Sequence, residues 1–562
     1  MSEPWPSRQG FVLRFSAPTI RDPLERAPSS RRPFSPYTQY GTSEKSPSVT
    51  DLGRLEMHHV AYPKPRVVPC HFPSWKTILY PLSHYTSAIV PLFGGYSITQ
   101  GIVLVGYATL IGIAMLMHSD PVTIPNRAGW IALSQFPVAL ALGSKASIVG
   151  MFVGRGYERL NFLHRWVGVL VFIAVLFHSV AYLVMWTKDG EVTQMVISTV
   201  GYTGLIALGG ICFLSLGAIP SFRKRFYSLF LNMHLIGLVI VVVAVPYHVP
   251  VSLPYSLACI GIYIFDVILR LTKSHYIGAT LHYIPELHSV RVAIPNLRMG
   301  WRAGQHIRLM IPSFSMGLAR MIETHPFTIA SPSDDDEGLV LLIKEAGDWT
   351  KSLGALARNG MSAKFSEGGL GCGRVANVVV QGPFGGVGHT VFSSYSAALF
   401  VCGGSGISFG LAAVQEMAQD AFDRSSRARL VDLVWSVGDP STIVPLLPTF
   451  KKLIEQTGAI ASFSLHIHIH YTRASSFQPS FDVPERIKVV GGRPDLQDML
   501  YASISCASAL KTRTFEGVHG VVMVVCGPKG LAESARKAER KVGLAVRKAV
   551  GGVELVEEAF GM

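Results

Sequence analysis

The sequence predicts a membrane bundle of six helices, followed by a small antiparallel β-barrel and then an open parallel α/β sheet. Three observations predict it. Long apolar runs are confined to residues 95–271. After residue 273 the pattern turns to short alternating strands, as in HSVRVAIP and GQHIRLMIP, the period of half-buried antiparallel sheet. From about residue 395 buried strands alternate with Gly-rich turns and helices, as in AALFVCGGSGISFGLAAVQEMAQ followed by LVDLVWSV, the order of a parallel sheet covered on both faces. Composition agrees: 15% of the 562 residues are charged, against about 25% in an average soluble domain.

Residues 1–92 are rich in Pro, Ser and Arg and contain no apolar run behind a basic start. They read as a polar, disordered cytosolic tail without a signal peptide, and His58, His59, His71 and His84 in or beside it read as solvated. Spanning a bilayer takes about 20 apolar residues, and six runs qualify: 96–117, 128–152, 162–186, 197–217, 227–248 and 253–271. Arg155, Arg159 and Arg165 lie at the turn between the second and third, and Arg223, Lys224 and Arg225 at that between the fourth and fifth; Arg270 and Lys273 lie at the end of the sixth. The opposite turns hold Asp120, Asp189 and Glu191 against Arg127 and Lys188. The positive-inside rule then puts both termini in the cytosol. A formal charge of +14 would suit nucleic acid if it lay on one face. Much of it instead sets topology, so no nucleic-acid partner is expected. The seven Cys include no C-x-x-C, which signals neither a zinc site nor a disulfide framework.

Between positions 119 and 274 there are four His, His164, His178, His234 and His248, in two pairs each 14 residues apart. Fourteen helical steps return to within about 40° of the starting direction and rise about 21 Å. Each helix therefore shows two imidazoles on one face, one near each membrane surface. Spans three and five run parallel, so His164 lies level with His234, and His178 with His248. Neutral imidazole is an axial ligand of haem iron, and ionisable groups inside a membrane are functional suspects by default. The pattern predicts two stacked bis-His haems, with the four His as the metal ligands. Arg165 suits either a haem propionate or a topology anchor; Trp130, Trp166 and Trp186 read as interfacial aromatics.

In HPFTIAS, Phe327 offers an aromatic face and Thr328 a hydroxyl of the kind a flavin ring needs near N5. IKEAGDWTKSL then places Gly347, Asp348, Trp349 and Thr350 at a helix start, where free N–H groups suit a pyrophosphate. GPFGG leads into VCGGSGISFG, whose Gly403, Gly404 and Gly406 allow close approach of a dinucleotide phosphate. VVMVVCGPKG puts Cys526, Gly527 and Pro528 at a strand end where a nicotinamide would lie. HIHIH spaces His466, His468 and His470 about 6 to 7 Å apart on one strand face, too far to close easily on one ion.

The order of these pieces, His pairs, HPFT, GDWT, GPFG, GGSG, GRP and CGP, resembles the fungal ferric-chelate reductases. They share a superfamily with the NADPH oxidases and have ferredoxin-reductase-like cytosolic halves. YERLNFLHRWVG and FHSVAY look like the ferric reductase branch. In the oxidases, which make superoxide from O2, the second His pair is usually one residue closer, so the 14-residue spacing favours metal reduction. The resemblance covers about 95–562 and implies a transmembrane haem domain over 93–272, an FAD-binding barrel over 273–389 and a Rossmann-like NAD(P) domain over 390–562. It implies that the four His bind two b haems. It assigns FAD to His325, Pro326, Phe327, Thr328, Ile329 and Ala330 with Gly347, Trp349 and Thr350. It assigns NADPH to Gly403, Gly404, Ser405, Gly406, Ile407, Arg493, Cys526, Gly527 and Pro528, with Phe327, Thr328 and Cys526 nearest the chemistry. Two positions depart from the pattern. Many relatives carry Arg where this chain has Gly438, which weakens NADPH against NADH. Many end in an aromatic that shields the flavin, and here Phe560, two residues from the end, is the candidate. The implied activity is reduction of extracytosolic ferric or cupric chelates from cytosolic NADPH. The implied place is the plasma membrane, with a vacuolar membrane equally able to draw electrons out of the cytosol. No motif bears on oligomeric state.

Overall fold

The structure is a computed structural model. It describes residues 68–69 and 96–559, apart from 118–119, 121–122, 147, 154–155, 296, 298, 319, 360–372, 474–482 and 514–517. The expectations for His58, His59, His71, His84, Arg155 and Phe560 fall outside the described residues.

Among the described residues six long helices come first: α1 (Ile98–Leu116), α2 (Asn126–Gly143), α3 (Tyr157–Asp189), α4 (Thr199–Leu216), α5 (Tyr227–His248) and α6 (Leu253–Thr272). Among the described residues five stretches, all but α2, are long and apolar enough to cross a membrane. The remaining expected span falls on α2, which is 18 residues long and more polar than the others. α2 carries Arg127, Ser134, Gln135 and Pro137, and its polar groups are spent on its neighbour: Arg127 Nε donates to Ala114 O at 2.8 Å, and Gln135 accepts from Tyr107 Oη. The run 128–152 is also not one helix. Ser144 leaves helical geometry (ψ 136°), and Ala146 N–H is taken by Asp266 Oδ1 of α6 at 2.7 Å. Residues Ile148–Val153 then form a separate short helix.

Small residues let α4 and α5 close on each other: a Cβ at Gly237 would stand 2.7 Å from Gly210 O, the tight contact that membrane helices use in place of a hydrophobic driving force. Ala132, Val167, Val171, Ile211 and Val241 fill the interior. The outside is apolar, with Ile173, Val184, Val239 and Ile264 exposed, as lipid requires.

Lys273 alone separates α6 from the first sheet, whose strands are β1 (Ser274–Ile284), β2 (Ser289–Ile294), β3 (Gln305–Met310), β4 (His325–Thr328), β5 (Leu339–Lys344) and β6 (Arg374–Gly385). Their order is β4-β3-β6-β1-β2-β5, antiparallel throughout. A bridge from Ile329 to Leu341 brings the two edges together, so the sheet nearly closes into the expected barrel. Leu281, Val292, Ile307, Leu309 and Val380 fill it, and helix α7 (Asp348–Arg358) packs Trp349 and Leu353 into the same core.

The second sheet holds β7 (Ala397–Gly403), β8 (Leu430–Val437), β9 (Ser464–Tyr471), β10 (Ile487–Gly491), β11 (Val521–Gly527) and β12 (Val553–Ala559). Its order is β10-β9-β8-β7-β11-β12, every pair parallel. Helices α8 (Ile407–Phe422) and α9 (Leu447–Gly458) pack on one face, and α10 (Leu496–Arg513) and α11 (Lys529–Lys541) on the other. The order reverses at β7, and it is beyond the C-terminal strand ends at such a point that open parallel sheets bind ligands.

Candidate functional site

The four membrane imidazoles meet in the pairs that the spacing predicts. The ring centres of His164 (α3) and His234 (α5) are 6.1 Å apart, and those of His178 and His248 are 6.2 Å apart. Each ring is held from behind by a main-chain carbonyl: His164 Nδ1 bonds Ala139 O at 2.8 Å, His178 Nδ1 bonds Pro125 O at 2.9 Å, His234 Nδ1 bonds Leu214 O at 3.0 Å, and His248 Nδ1 bonds Val200 O at 2.7 Å. A carbonyl only accepts, so each Nδ1 carries the proton and each Nε2 keeps its lone pair. That is the tautomer that ligates metal, with its orientation fixed by the second nitrogen. Bonds of about 2 Å from imidazole nitrogen to metal, plus roughly 1.1 Å from nitrogen to ring centre, put two rings on opposite sides of one iron about 6 Å apart. Both pairs fit an iron porphyrin.

Three of the four supporting carbonyls have a glycine four residues further along the chain: Pro125 with Gly129, Ala139 with Gly143, and Val200 with Gly204. A Cβ at Gly129 would stand 3.0 Å from the His178 ring, at Gly143 2.9 Å from His164, and at Gly204 2.8 Å from His248. A helical carbonyl already accepts from the residue four ahead, and the side chain of that residue would cover the remaining approach. Glycine leaves it open to the imidazole. Sequence reasoning missed these glycines, although the i, i+4 spacing to a partner carbonyl is invisible without the helix pairing.

In the barrel, His325, Pro326, Phe327 and Thr328 form β4. Trp349 supports this strand rather than facing solvent: it is 4% exposed, stacks on Phe327 at 5.7 Å, and its ring centre is 4.7 Å from that of His325. Its Nε1 donates to Arg320 O at 3.1 Å. Thr350 Oγ1 accepts from the N–H groups of Ala346 and Gly347, both at 2.9 Å. Of the N–H groups expected at this helix start, that of Gly347 is therefore taken by the helix's own cap. Ile329 and Ala330 are buried at the barrel seam. His306 on β3 pairs directly with Thr328, so the two side chains share one face. Its ring is buried, and burial, helped by the nearby Arg308 charge, lowers its pKa to about 4.

At the parallel sheet, all six strands end on one edge, which gathers residues scattered over the sequence. The Gly403–Gly406 turn and the Cys526–Pro528 turn touch: a Cβ at Gly403 would stand 2.7 Å from Pro528 Cδ, and one at Gly406 2.2 Å from Cys526 O. Only glycine lets these backbones meet. Gly404 takes φ +55°, and its carbonyl accepts from Trp435 Nε1 at 2.9 Å. Ser405 and Ile407 continue this turn into α8. Cys526 is fully buried, and burial pushes its thiol pKa well up, so it stays protonated and is no nucleophile. Arg493 is exposed beyond β10, on the same edge but three strands from β7. Gly438, where an arginine was the pattern, lies against Arg473 at the end of β9: a Cβ on Gly438 would be 3.7 Å from Arg473 Nε. A cation from the neighbouring strand thus sits beside the vacant position, which the sequence reading did not anticipate.

His466 Nδ1 is 3.2 Å and His468 Nε2 3.9 Å from Asp432 Oδ1, and Ser503 Oγ donates to Asp432 Oδ2 at 2.7 Å. Among the described residues no group of three such side chains could hold a metal ion.

Residues 128–245 match the family described as ferric reductase like transmembrane component, and residues 278–387 match an FAD-binding domain. The resemblance drawn from the motifs is therefore borne out on these segments, and the chain is a multi-pass membrane protein carrying an FAD-binding domain. Among curated relatives, a probable cell surface ferric reductase of Aspergillus oryzae is 28% identical over 58% of this chain and 44% of its own length. The ferric/cupric reductase transmembrane component 7 of Saccharomyces cerevisiae is 25% identical over 53% of this chain and 47% of its own. A probable metalloreductase of Debaryomyces hansenii is 24% identical over 77% and 84%. The chain spans about half the length of the first two.

Proposed function

We propose that this chain is a transmembrane ferric-chelate reductase. It would move electrons from cytosolic NADPH to ferric or cupric chelates across the membrane, in the plasma membrane, with both sheets on the cytosolic side. The observation that supports it best is the set of four Nδ1-anchored imidazoles in two facing pairs, above an FAD-binding barrel. When bound, FAD would supply the conversion of a two-electron hydride into single electrons, and two b haems, which His164 with His234 and His178 with His248 would hold, would supply single-electron carriers across the membrane.

The chain's own residues prepare this chemistry. The carbonyls of Ala139, Pro125, Leu214 and Val200 fix the orientation and tautomer of the imidazoles. Phe327, braced by Trp349, offers a fixed aromatic face to the flavin, and Thr328 a hydroxyl. The Gly403–Gly406 turn admits the dinucleotide phosphates, with Arg473 and Arg493 supplying positive charge on that edge. Cys526, kept as a thiol by burial, gives the nicotinamide side an uncharged wall. With two imidazoles committed to each iron, delivery to the chelate would be outer-sphere.

The test is an anaerobic absorbance spectrum of the purified chain on addition of NADPH. Reduction of two haems per chain supports the proposal, and a preparation without Soret absorbance overturns it. Ferric reduction insensitive to superoxide dismutase separates metal reduction from superoxide production.

A further inference from the structure

The helix that carries His164 and His178 also fastens the two sheets. α3 begins at Tyr157, and its second and third residues reach different layers. Glu158 Oε1 is 3.3 Å from His306 Nε2 on the barrel strand β3. Just before it, Gly156 is so close to the barrel that a Cβ there would be 3.2 Å from Gly385 Cα. Arg159 Nη2 reaches the other layer, donating at 2.9 Å to both Glu557 O and Glu558 Oε1 of β12.

β12 is an edge strand, paired with β11 alone. Edge strands leave a row of main-chain carbonyls without a partner strand, and the Arg159 guanidinium takes one of them. Glu558 lies directly across the ladder from Cys526, near the C-terminal end of β11. From its own sheet, Arg536 of α11 holds the Glu557 carboxylate at 2.9 Å. One cation of the sheet and one of the membrane helix therefore grip adjacent residues of β12. Arg159 and Glu558 are 33% and 19% exposed, so the contact is partly desolvated and defined by two hydrogen bonds. His164 follows five residues later on the same rigid helix, about 7.5 Å along its axis.

We propose that Arg159 is a positioning residue for electron delivery: by holding Glu557 and Glu558 it fixes the nucleotide-side edge of the parallel sheet, and the barrel beside it, at a set distance from the His164–His234 pair. What is carried across that distance rests on the function proposed above; the fastening itself rests on the contacts. In the step affected, the reduced flavin loses one electron and one ferric haem becomes ferrous. No proton or group passes through Arg159, which touches neither reactant.

The experiment uses the full chain in nanodiscs. Arg159→Glu is compared with the wild type and with the charge swap Arg159→Glu/Glu558→Arg. Three readouts are taken: NADPH-driven reduction of ferricyanide at the flavin, stopped-flow reduction of the haem Soret band, and hydrogen exchange of the β12 amides. Positional errors of an ångström at a reacting centre cost one to two orders of magnitude. Arg159→Glu should therefore slow haem reduction by about tenfold or more while ferricyanide reduction is unchanged, and β12 should exchange faster. The swap should restore the ion pair and part of the rate, though not the bond to the Glu557 carbonyl. Should Arg159→Glu fail to assemble, Arg159→Lys and Glu558→Gln read the same contact. Wild-type haem kinetics and wild-type β12 exchange in the single variants would overturn the inference. A wild-type chain that holds no haem would overturn the proposed function instead, and the exchange readout would still decide the fastening.

Discussion

Replacing Gly204 by alanine tests how the far imidazole pair is held. His248 Nδ1 donates to Val200 O at 2.7 Å, and Gly204 stands four residues on, beside that carbonyl. The added Cβ would lie 2.8 Å from His248 Cε1 and 2.9 Å from Nδ1. Comfortable carbon contacts are about 3.5–4.0 Å, so the ring must retreat by roughly 0.7 Å and give up its hydrogen bond. Overpacking costs about 1–3 kcal/mol, and a lost hydrogen bond adds about 1 kcal/mol net. The ring can relieve part of this by tilting, which removes its Nε2 from the axial direction. Loss of the group orienting a metal-bound imidazole costs about 10- to 100-fold in affinity. The expected outcome is one haem per chain instead of two, measured by pyridine haemochrome absorbance against protein. Gly143→Ala should do the same to the His164–His234 pair, since its Cβ would stand 2.9 Å from His164. Gly209→Ala on the same helix is the control, because nothing lies within 4 Å of the added carbon. Two haems per chain with an unchanged Soret band and redox titration in Gly204→Ala would refute the reasoning.

His178→Ala should remove the outer haem and abolish reduction of external ferric chelates, while artificial acceptors at the flavin still oxidise NADPH; undiminished ferric reduction would break the two-haem path. Arg473→Ala should raise KM for NADPH by about 10- to 100-fold, the worth of a charged hydrogen bond to phosphate, and leave NADH nearly unaffected. Steady-state kinetics with both nucleotides decide it, an unchanged preference counting against Arg473. His306 is held neutral with a pKa of about 4 by burial and by Arg308, in spite of Glu158 at 3.3 Å. An unfolded imidazole titrates near 6.5, so as pH falls the unfolded chain takes up its proton first. The stability this group supplies is complete above about pH 6.5 and is lost on acidification to about pH 4, up to about 3 kcal/mol. Urea unfolding followed by tryptophan fluorescence across that window should show a shallower pH dependence in His306→Gln, and equal slopes in the two proteins would contradict it.

Much of this was legible in the residues. Two His pairs 14 apart encode their own alignment, because helical periodicity converts spacing directly into direction and height. The β-barrel and the parallel sheet were legible because strand alternation and Gly-rich turns are local signals. The run 128–152 was drawn too long for a related reason: its apolar average does not reveal that Ser144 breaks the helix or that Asp266, far along the chain, captures Ala146 N–H at 2.7 Å. The helix start at Gly347–Thr350 was legible in the residues, whereas the bracing of His325 and Phe327 by the Trp349 indole and the capping by the Thr350 hydroxyl were not, since in a small barrel the first turn of a covering helix is also core.

The sequence by itself determined which imidazoles share a helix face, the order of membrane bundle, barrel and parallel sheet, and the turns too tight for any side chain. Each follows from period, reach or the absence of a Cβ, which are properties of a few neighbouring residues. Only the tertiary structure decided which carbonyl orients each imidazole, that Arg473 stands beside Gly438, and that Arg159 grips a strand about 400 residues away in the chain. Those depend on which elements pack together, and packing is settled by the summed burial of whole faces, which no local window contains.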